Sequence, residues 1–185
     1  MTDAKPPGWR TRGYLPHFDT VSGVQHIVFR LADALPAAVL GALEGSSAAD
    51  RFDAAEEVLG HGLGSRALAA PPIAALVERT LLHFDGDRYR LWAWCVMPTH
   101  VHALVAQSAG CPLSRIVHGW KSFAANRANQ VLGQTGRFWA PEYVDRVMRG
   151  EHDAEAARIY IEDNPVVAGL CARPGAWPWS SASAR

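Results

Sequence analysis

Two histidines separated by one residue, His100 and His102, are the sharpest candidates for chemistry in the chain. They lie in the segment PTHVHALV, whose residue alternation predicts a β-strand. Because side chains two residues apart in a strand point to the same face, both imidazoles are expected side by side. Neutral imidazole nitrogens are good ligands for divalent metal ions. The pair therefore predicts a metal site, and the structural alternative is two histidines that only pack.

A tyrosine and an asparagine four residues apart, Tyr160 and Asn164, occur later in the segment IYIEDNP. This spacing places both side chains on one face of a helix. A tyrosine beside a metal-bound phosphate can act as a nucleophile, because the metal withdraws charge from phosphorus and assists loss of the phenolic proton. The alternative is a tyrosine that packs on an amphipathic helix. Glu162 and Asp163, between the two, are expected to face solvent.

Charge is distributed unevenly along a chain whose net charge is zero. Residues 37–87 contain three arginines and eight acidic residues, whereas residues 115–149 contain six basic and two acidic residues. A local basic patch is where a polyanion would bind, although a solvated helix face explains the same charges. The candidate phosphate contacts are Arg115, Lys121, Arg127, Arg137, Arg146 and Arg149.

Strands and helices can be assigned from composition and periodicity. Segments rich in β-branched and aromatic residues predict strands over 24–31, 89–96 and 101–105, and part of 138–148 is expected to be extended. Helical composition and periodicity predict helices over 35–44, 54–63, 71–82, 113–132 and 151–164, the last ended by Pro165. This pattern favours an α/β (α+β) fold.

The length and the composition of the chain limit which classes of protein it can belong to. The 185 residues, 49% of them hydrophobic, suit one domain over 1–185. No run reaches the ~18 apolar residues that span a bilayer, and no secretory signal is evident, so a cytoplasmic protein without membrane contact is expected. The three cysteines lack the spacing of a zinc site or disulfide framework.

The order of several segments resembles one family. These segments are VQHIVFRLAD, VMPTHVHALV, SRIVHGWKSFAANRAN, GRFWAPEYVDRVMRG, YIEDNPVVAGL and WPWSS. Together they resemble the REP-associated tyrosine transposases, which are relatives of the single-tyrosine insertion-sequence transposases and members of the His-hydrophobic-His endonuclease superfamily. The resemblance extends over nearly the whole chain, and its specificity comes from the order and spacing of the segments.

The resemblance implies a role for each candidate residue. His100 and His102 match the pair that holds Mg²⁺ or Mn²⁺, and Tyr160 matches the nucleophile. Asn164 matches a position that supplies a third metal ligand in related transposases. Tyr143 is the competing tyrosine, and it matches an aromatic packing position.

The resemblance also implies a fold and an activity. The expected fold is a ferredoxin/RRM-like central antiparallel sheet flanked by helices. The expected activity is metal-dependent cleavage and rejoining of single-stranded DNA at REP-type hairpins, through a 5′-phosphotyrosine intermediate and without a nucleotide cofactor. The enzyme is expected to work as a monomer or a homodimer, in the cytoplasm and associated with the nucleoid.

One segment departs from the family pattern. Residues 37–75, acidic and rich in alanine and glycine, predict a helical insertion that leaves the site residues untouched and affects substrate preference. Two alternative functions remain. One is a catalytically silent DNA-binding regulator with the same fold, and the other is a metal hydrolase that uses water while Tyr160 is only structural.

Overall fold

The computed structural model describes residues 8–11, 16–19, 23–35 and 48–184. In this part of the chain the strands are β1 (Gly8–Thr11), β2 (Pro16–Asp19), β3 (Val24–Arg30), β4 (Tyr89–Val96), β5 (His100–Gln107) and β6 (Val144–Val147). The helices are α1 (Ala48–Gly60), α2 (Pro71–Leu82), α3 (Leu113–Leu132) and α4 (Glu151–Val167). Most of the helix predicted over 35–44 lies outside the described residues.

The centre of the fold is an antiparallel sheet with the strand order β4-β5-β3-β6, and β1 pairs with β2 in a separate two-stranded sheet. Strand β5 lies between β3 and β4, and its register places His102 opposite Val28 on one side and Cys95 on the other. The histidine pair therefore lies in the interior of the sheet. This architecture confirms the predicted α+β fold of a central antiparallel sheet flanked by helices.

The two faces of the sheet carry different side chains because residues alternate along each strand. On one face Phe29 and Val101 join the main apolar core with Trp120 of α3, whose ring centroid is 6.3 Å from that of Phe29. On the other face Leu104 packs with Ile161 of α4. This second face also carries the histidines, so α4 lies on the side of the sheet where the chemistry was expected.

Helix α3 begins and ends as predicted, whereas α4 begins at the predicted residue and ends later. Gly133 adopts the left-handed conformation that ends α3. Pro165 does not end α4, contrary to the prediction, and the helix continues to Val167. Proline removes one N–H donor, and the turn around it is retained by the bond from Ala168 N to Asn164 O at 2.9 Å. Gly169, with a φ of 68°, then terminates the helix.

The C-terminal tail packs along the outer edge of β4. The backbone N–H of Val96 donates to Trp179 O at 2.8 Å, and the indole N–H of Trp177 donates to Val96 O at 3.0 Å. Ser181 Oγ donates to Glu162 Oε1 at 2.7 Å. The expectation that Glu162 faces solvent was wrong, because this carboxylate is only 7% exposed and also pairs with Arg158.

Helix α1 occupies part of the segment predicted as an insertion, and it covers 48–60 instead of 54–63. It is fixed to the rest of the fold by two buried apolar residues, Phe52 and Leu59, and by an ion pair between Asp53 and Arg146 of β6 at 2.5 Å. None of the helices that the structure describes combines the length and hydropathy needed to cross a lipid bilayer.

Candidate active site

The two predicted histidines lie side by side on β5, as the strand spacing required. His100 Nε2 and His102 Nε2 are 2.9 Å apart, and the side chains are buried, at 3% and 0% exposure. The other ring nitrogen of each histidine has its own partner. His100 Nδ1 is 2.9 Å from Thr99 Oγ1, and His102 Nδ1 is 3.1 Å from Nε2 of His26 on β3. The orientation of both rings is therefore fixed by hydrogen bonds.

The donor set of this arrangement fits a divalent cation, which His100 and His102 would hold through neutral ring nitrogens. In one tautomer each Nδ1 is protonated, so that His100 donates a hydrogen bond to Thr99 and His102 donates one to His26. Both Nε2 atoms then present lone pairs to each other at 2.9 Å. A cation between them would remove that repulsion. Partners on the outer nitrogens are the usual means of orienting metal-binding histidines.

The histidines are held in the neutral form that metal binding requires. Burial lowers the pKa of His102 to about 3. Burial, followed by the charge of His102, lowers the pKa of His26 and of His100 well below the ordinary value. Neutral imidazoles are the ligand form for divalent ions, so no proton has to be displaced from these rings near neutral pH.

The stability of the metal-free protein is expected to fall steeply below pH 6.5. The three histidines bind protons in the unfolded chain near their ordinary pKa of 6.5 but not in the folded protein, so the free energy of unfolding decreases as pH falls. Glu56 has the opposite sign, since its pKa is raised from 4.5 to about 7. Because three histidines oppose one carboxyl group, the net effect is a loss of unfolding free energy as pH falls.

Urea unfolding in EDTA at pH 7.5, 6.0 and 5.5 measures this dependence. The variant His118→Gln, at an exposed histidine on α3, serves as a control and should show the wild-type slope. A free energy of unfolding that stays constant over this range would contradict the burial of neutral histidines.

Tyr160 lies beside the histidine pair in the same chain. Its ring centroid is 6.0 Å from that of His102 and 6.0 Å from that of His26, and its side chain is 46% exposed. The side chain of Asn164, one helical turn later, is close enough to act on the Tyr160 hydroxyl and to lower its pKa. The structure therefore brings together the tyrosine, the asparagine and the histidines that the sequence singled out, with the tyrosine accessible from solvent.

Helix α1 also contributes to this site, contrary to the expectation that the segment 37–75 leaves the site residues untouched. The hydroxyl of Tyr160 donates to Glu56 Oε2 at 2.5 Å. The other carboxylate oxygen of Glu56, Oε1, is 3.7 Å from His102 Nδ1. Burial, followed by the charge of Glu56, raises the pKa of Tyr160. Glu56 thus contacts both the candidate nucleophile and a candidate metal ligand.

His, Cys, Asp and Glu side chains are the common protein ligands of divalent metal ions. Within the described residues no group of three or more such side chains is arranged to hold a metal ion. The amide of Asn164 has the required oxygen donor, and it lies near enough to Tyr160 to affect the pKa of that phenol. Its role as a ligand remains a prediction.

The six basic residues predicted to contact DNA lie in different places. Arg115 and Arg127 line a cavity of about 900 Å³ between α2 and α3, on the face opposite the histidines. Lys121 and Arg137 line a second cavity of about 410 Å³. The ammonium of Lys121 donates to two backbone carbonyls, those of Ala140 and Pro141. The structure thus shows a structural role for this lysine, and its contact with phosphate remains a prediction.

The remaining two predicted DNA contacts, Arg146 and Arg149, lie near the histidine site and at the start of α4. Arg146 pairs with Asp53, and its guanidinium is 4.5 Å from the ring centroid of Phe52, so it helps to fix α1. Arg149 is exposed just before α4, and its backbone N–H donates to Asp153. Tyr143 packs against the main apolar core, as expected of the competing tyrosine.

Sequence reasoning missed two residues of this site. Thr99 directly precedes the histidine pair, and a hydroxyl there could have been proposed as the partner of a ring nitrogen. Glu56 gave no comparable signal, because it is 104 residues from Tyr160 and lies in an acidic helix among other carboxylates. Only the tertiary packing of α1 brings it to the site.

Comparison with solved structures places the fold in a known class. The chain is similar to a REP-associated tyrosine transposase solved in complex with a REP hairpin, with a TM-score of 0.62, 17% identity and coverage of 92% of this chain and 82% of that chain. At this identity the likeness shows a shared fold. A Deinococcus radiodurans R1 protein described as a "putative transposase" matches with a TM-score of 0.40, 18% identity and coverage of 84% and 96%. No curated protein sequence matches the chain.

A similarity to a known family covers the segment that carries the site. Residues 82–164 match the family model described as "Transposase IS200 like". This segment contains the histidine pair, Tyr160 and Asn164. The match confirms the predicted resemblance to the single-tyrosine transposases over this segment, and it supports the predicted class of enzyme, a transposase.

Proposed function

We propose that this protein cleaves and rejoins single-stranded DNA through Tyr160, with a divalent metal ion held by His100 and His102. The observation that supports this most directly is the position of Tyr160, whose accessible ring lies 6.0 Å from that of the buried His102 in the same chain. A nucleophile on a helix and a ligand pair on a strand are thus adjacent without help from a second copy. One protomer contains all the proposed residues.

The reaction divides the work between the elements of the site. The metal ion, Mg²⁺ or Mn²⁺, would supply charge that polarises the scissile phosphate. Tyr160 Oη forms a bond to phosphorus and loses its proton, while the bond to the 3′ oxygen breaks and that oxygen takes up a proton. The DNA then ends in a 5′-phosphotyrosine, and attack by another 3′-hydroxyl reverses the step and joins strands. Asn164 would hold the tyrosine or complete the metal site.

We infer that the substrate is single-stranded DNA with a REP-like hairpin. The solved relative with the same fold was bound to a REP hairpin, which supports this class of substrate. Arg115, Lys121, Arg127, Arg137, Arg146 and Arg149 would contact phosphates, and such contacts position DNA without reading its sequence. Because the net charge of the chain is zero, non-specific affinity for DNA should be weak.

Trapping of the covalent intermediate tests the proposal. The protein is incubated with Mn²⁺ and labelled single strands that carry hairpins with different flanks, and then separated under denaturing conditions. Mass spectrometry of the digested adduct should locate the nucleotide on Tyr160. Cleavage without an adduct would instead support a hydrolase that uses water, and binding without cleavage would support a silent regulator. Either result would overturn the phosphotyrosine mechanism.

A further inference from the structure

We propose that Glu56 is a positioning residue that holds the hydroxyl of Tyr160 in the orientation for attack on phosphorus. This inference rests on the proposed function and adds to it a residue from outside the segment that matches the transposase family, residues 82–164. Helix α1, which carries Glu56, is therefore part of the proposed active site as well as part of the predicted insertion.

The contact itself is direct. Glu56 Oε2 accepts a hydrogen bond from Tyr160 Oη at 2.5 Å. Glu56 Oε1 is buried without a hydrogen-bond partner and lies 3.7 Å from His102 Nδ1. The carboxylate thus lies between the tyrosine on α4 and the histidine on β5, and it fixes the hydroxyl relative to the ligand pair.

Neighbouring residues on α1 anchor Glu56 to the rest of the fold. One helical turn earlier, Phe52 is buried, with its ring centroid 4.9 Å from that of His26 and 4.5 Å from the guanidinium of Arg146. Asp53 forms the ion pair with the same arginine at 2.5 Å. A side chain carried by a helix with these anchors has few alternative positions. This favours a fixed support for the tyrosine over a removable cover.

The electrostatic surroundings favour the same interpretation. A lone carboxylate beside the nucleophile would repel an incoming phosphate. Arg146 is close enough to act on Glu56 electrostatically, and it offsets part of that negative charge. The hydrogen bond to Tyr160 can therefore direct the phenol without making the site strongly repulsive to DNA.

The expected effect is on the chemical step. Without Glu56 the phenol of a side chain that is nearly half exposed can turn toward solvent, and a small displacement of a reacting group costs up to about a hundredfold in rate. Glu56→Ala should therefore reduce the rate constant of adduct formation at saturating DNA by about 10- to 100-fold. Glu56→Gln keeps an oxygen that accepts the same hydrogen bond, and it should recover most of the rate.

The experiment measures single-turnover adduct formation with Mn²⁺ as a function of DNA concentration for both variants. Glu57→Ala, at the exposed neighbouring position on α1, is the matched control and should keep the wild-type rate constant. The DNA concentration at half-maximal rate should change less than threefold in Glu56→Ala, because the residue acts on orientation and not on binding. If this variant unfolds, Glu56→Gln and Glu56→Asp decide the question, and loss of activity in Glu56→Gln to the level of inactive protein would overturn the proposal.

An adduct rate constant in folded Glu56→Ala equal to or above that of wild type would also overturn it, and an increase would indicate a repulsive or inhibitory contact instead. A second readout does not require activity. With 3-fluorotyrosine at position 160, the ¹⁹F resonance should shift and narrow toward that of a mobile residue in Glu56→Ala but not in Glu57→Ala. If wild-type protein forms no adduct, the proposed function fails, whereas an unchanged ¹⁹F signal would reject the Glu56 contact alone.

Discussion

Replacing Tyr160 with phenylalanine should abolish the covalent protein–DNA adduct and reduce strand cleavage by about a thousandfold or more, because loss of a nucleophile removes the reaction path itself. The phenylalanine ring can keep the contacts with His26 and His102, whose centroids are both 6.0 Å away. Fold and DNA binding should therefore survive. The lost hydrogen bond to Glu56 should cost about 1 kcal/mol of unfolding free energy.

Tyr143→Phe provides the matched control, since it removes the hydroxyl of the competing tyrosine in the packing position. Denaturing gels of the two variants with Mn²⁺ and a hairpin-bearing single strand give the comparison, and filter binding confirms that both still bind DNA. The assignment of the nucleophile would be wrong if Tyr160→Phe retained the adduct, or if the adduct disappeared only in Tyr143→Phe.

Replacing His102 with alanine should remove metal binding and activity together. His102 Nε2 is one of the two nitrogens 2.9 Å apart, so its loss leaves His100 as a single imidazole at this position. Substitution of a residue that only orients a metal ligand lowers metal affinity about 10- to 100-fold. Loss of the ligand itself should therefore lower the affinity at least about a hundredfold. Titration with Mn²⁺, followed by electron paramagnetic resonance of the free ion, measures the affinity independently of DNA cleavage.

His118→Ala is the control for this experiment, because His118 is exposed on α3 and bonds to Ser122. It should bind Mn²⁺ as the wild type does. Because His102 is completely buried, circular dichroism must show that His102→Ala is folded, and His100→Ala should give the same loss of affinity if it is not. Unchanged Mn²⁺ affinity in both folded variants would place the metal elsewhere.

The elements of the central fold could be predicted from sequence where a period was long and uninterrupted. The alternation of residue types around His100 predicted the strand and the shared face of the two histidines. The helical periodicity of 113–132 predicted α3 with both its ends. The position of Tyr160 relative to the histidines followed only from the family resemblance. Local periodicity carries no information about which helix packs over which strand.

Each prediction that was wrong or missing has a physical cause in the structure. Pro165 was expected to end α4, but a proline near the end of a helix costs little when the following turn keeps its own hydrogen bonds. Glu162 was expected to face solvent, and it is buried because the C-terminal tail brings Ser181 to it. Glu56 could not be assigned to the site, because its contact with Tyr160 spans 104 residues.

The tail along β4 has a consequence for how the protein behaves in concentrated solution. An open sheet ends in strands whose unpaired backbone groups can recruit another chain. Here the N–H groups of Trp94 and Val96 are occupied by Ser181 and Trp179 of the same molecule. A chain shortened to end before Trp177 would expose these donors together with the apolar side chains beneath the tail. Such a chain should self-associate through β4, and the tail thereby acts as a built-in protection against aggregation.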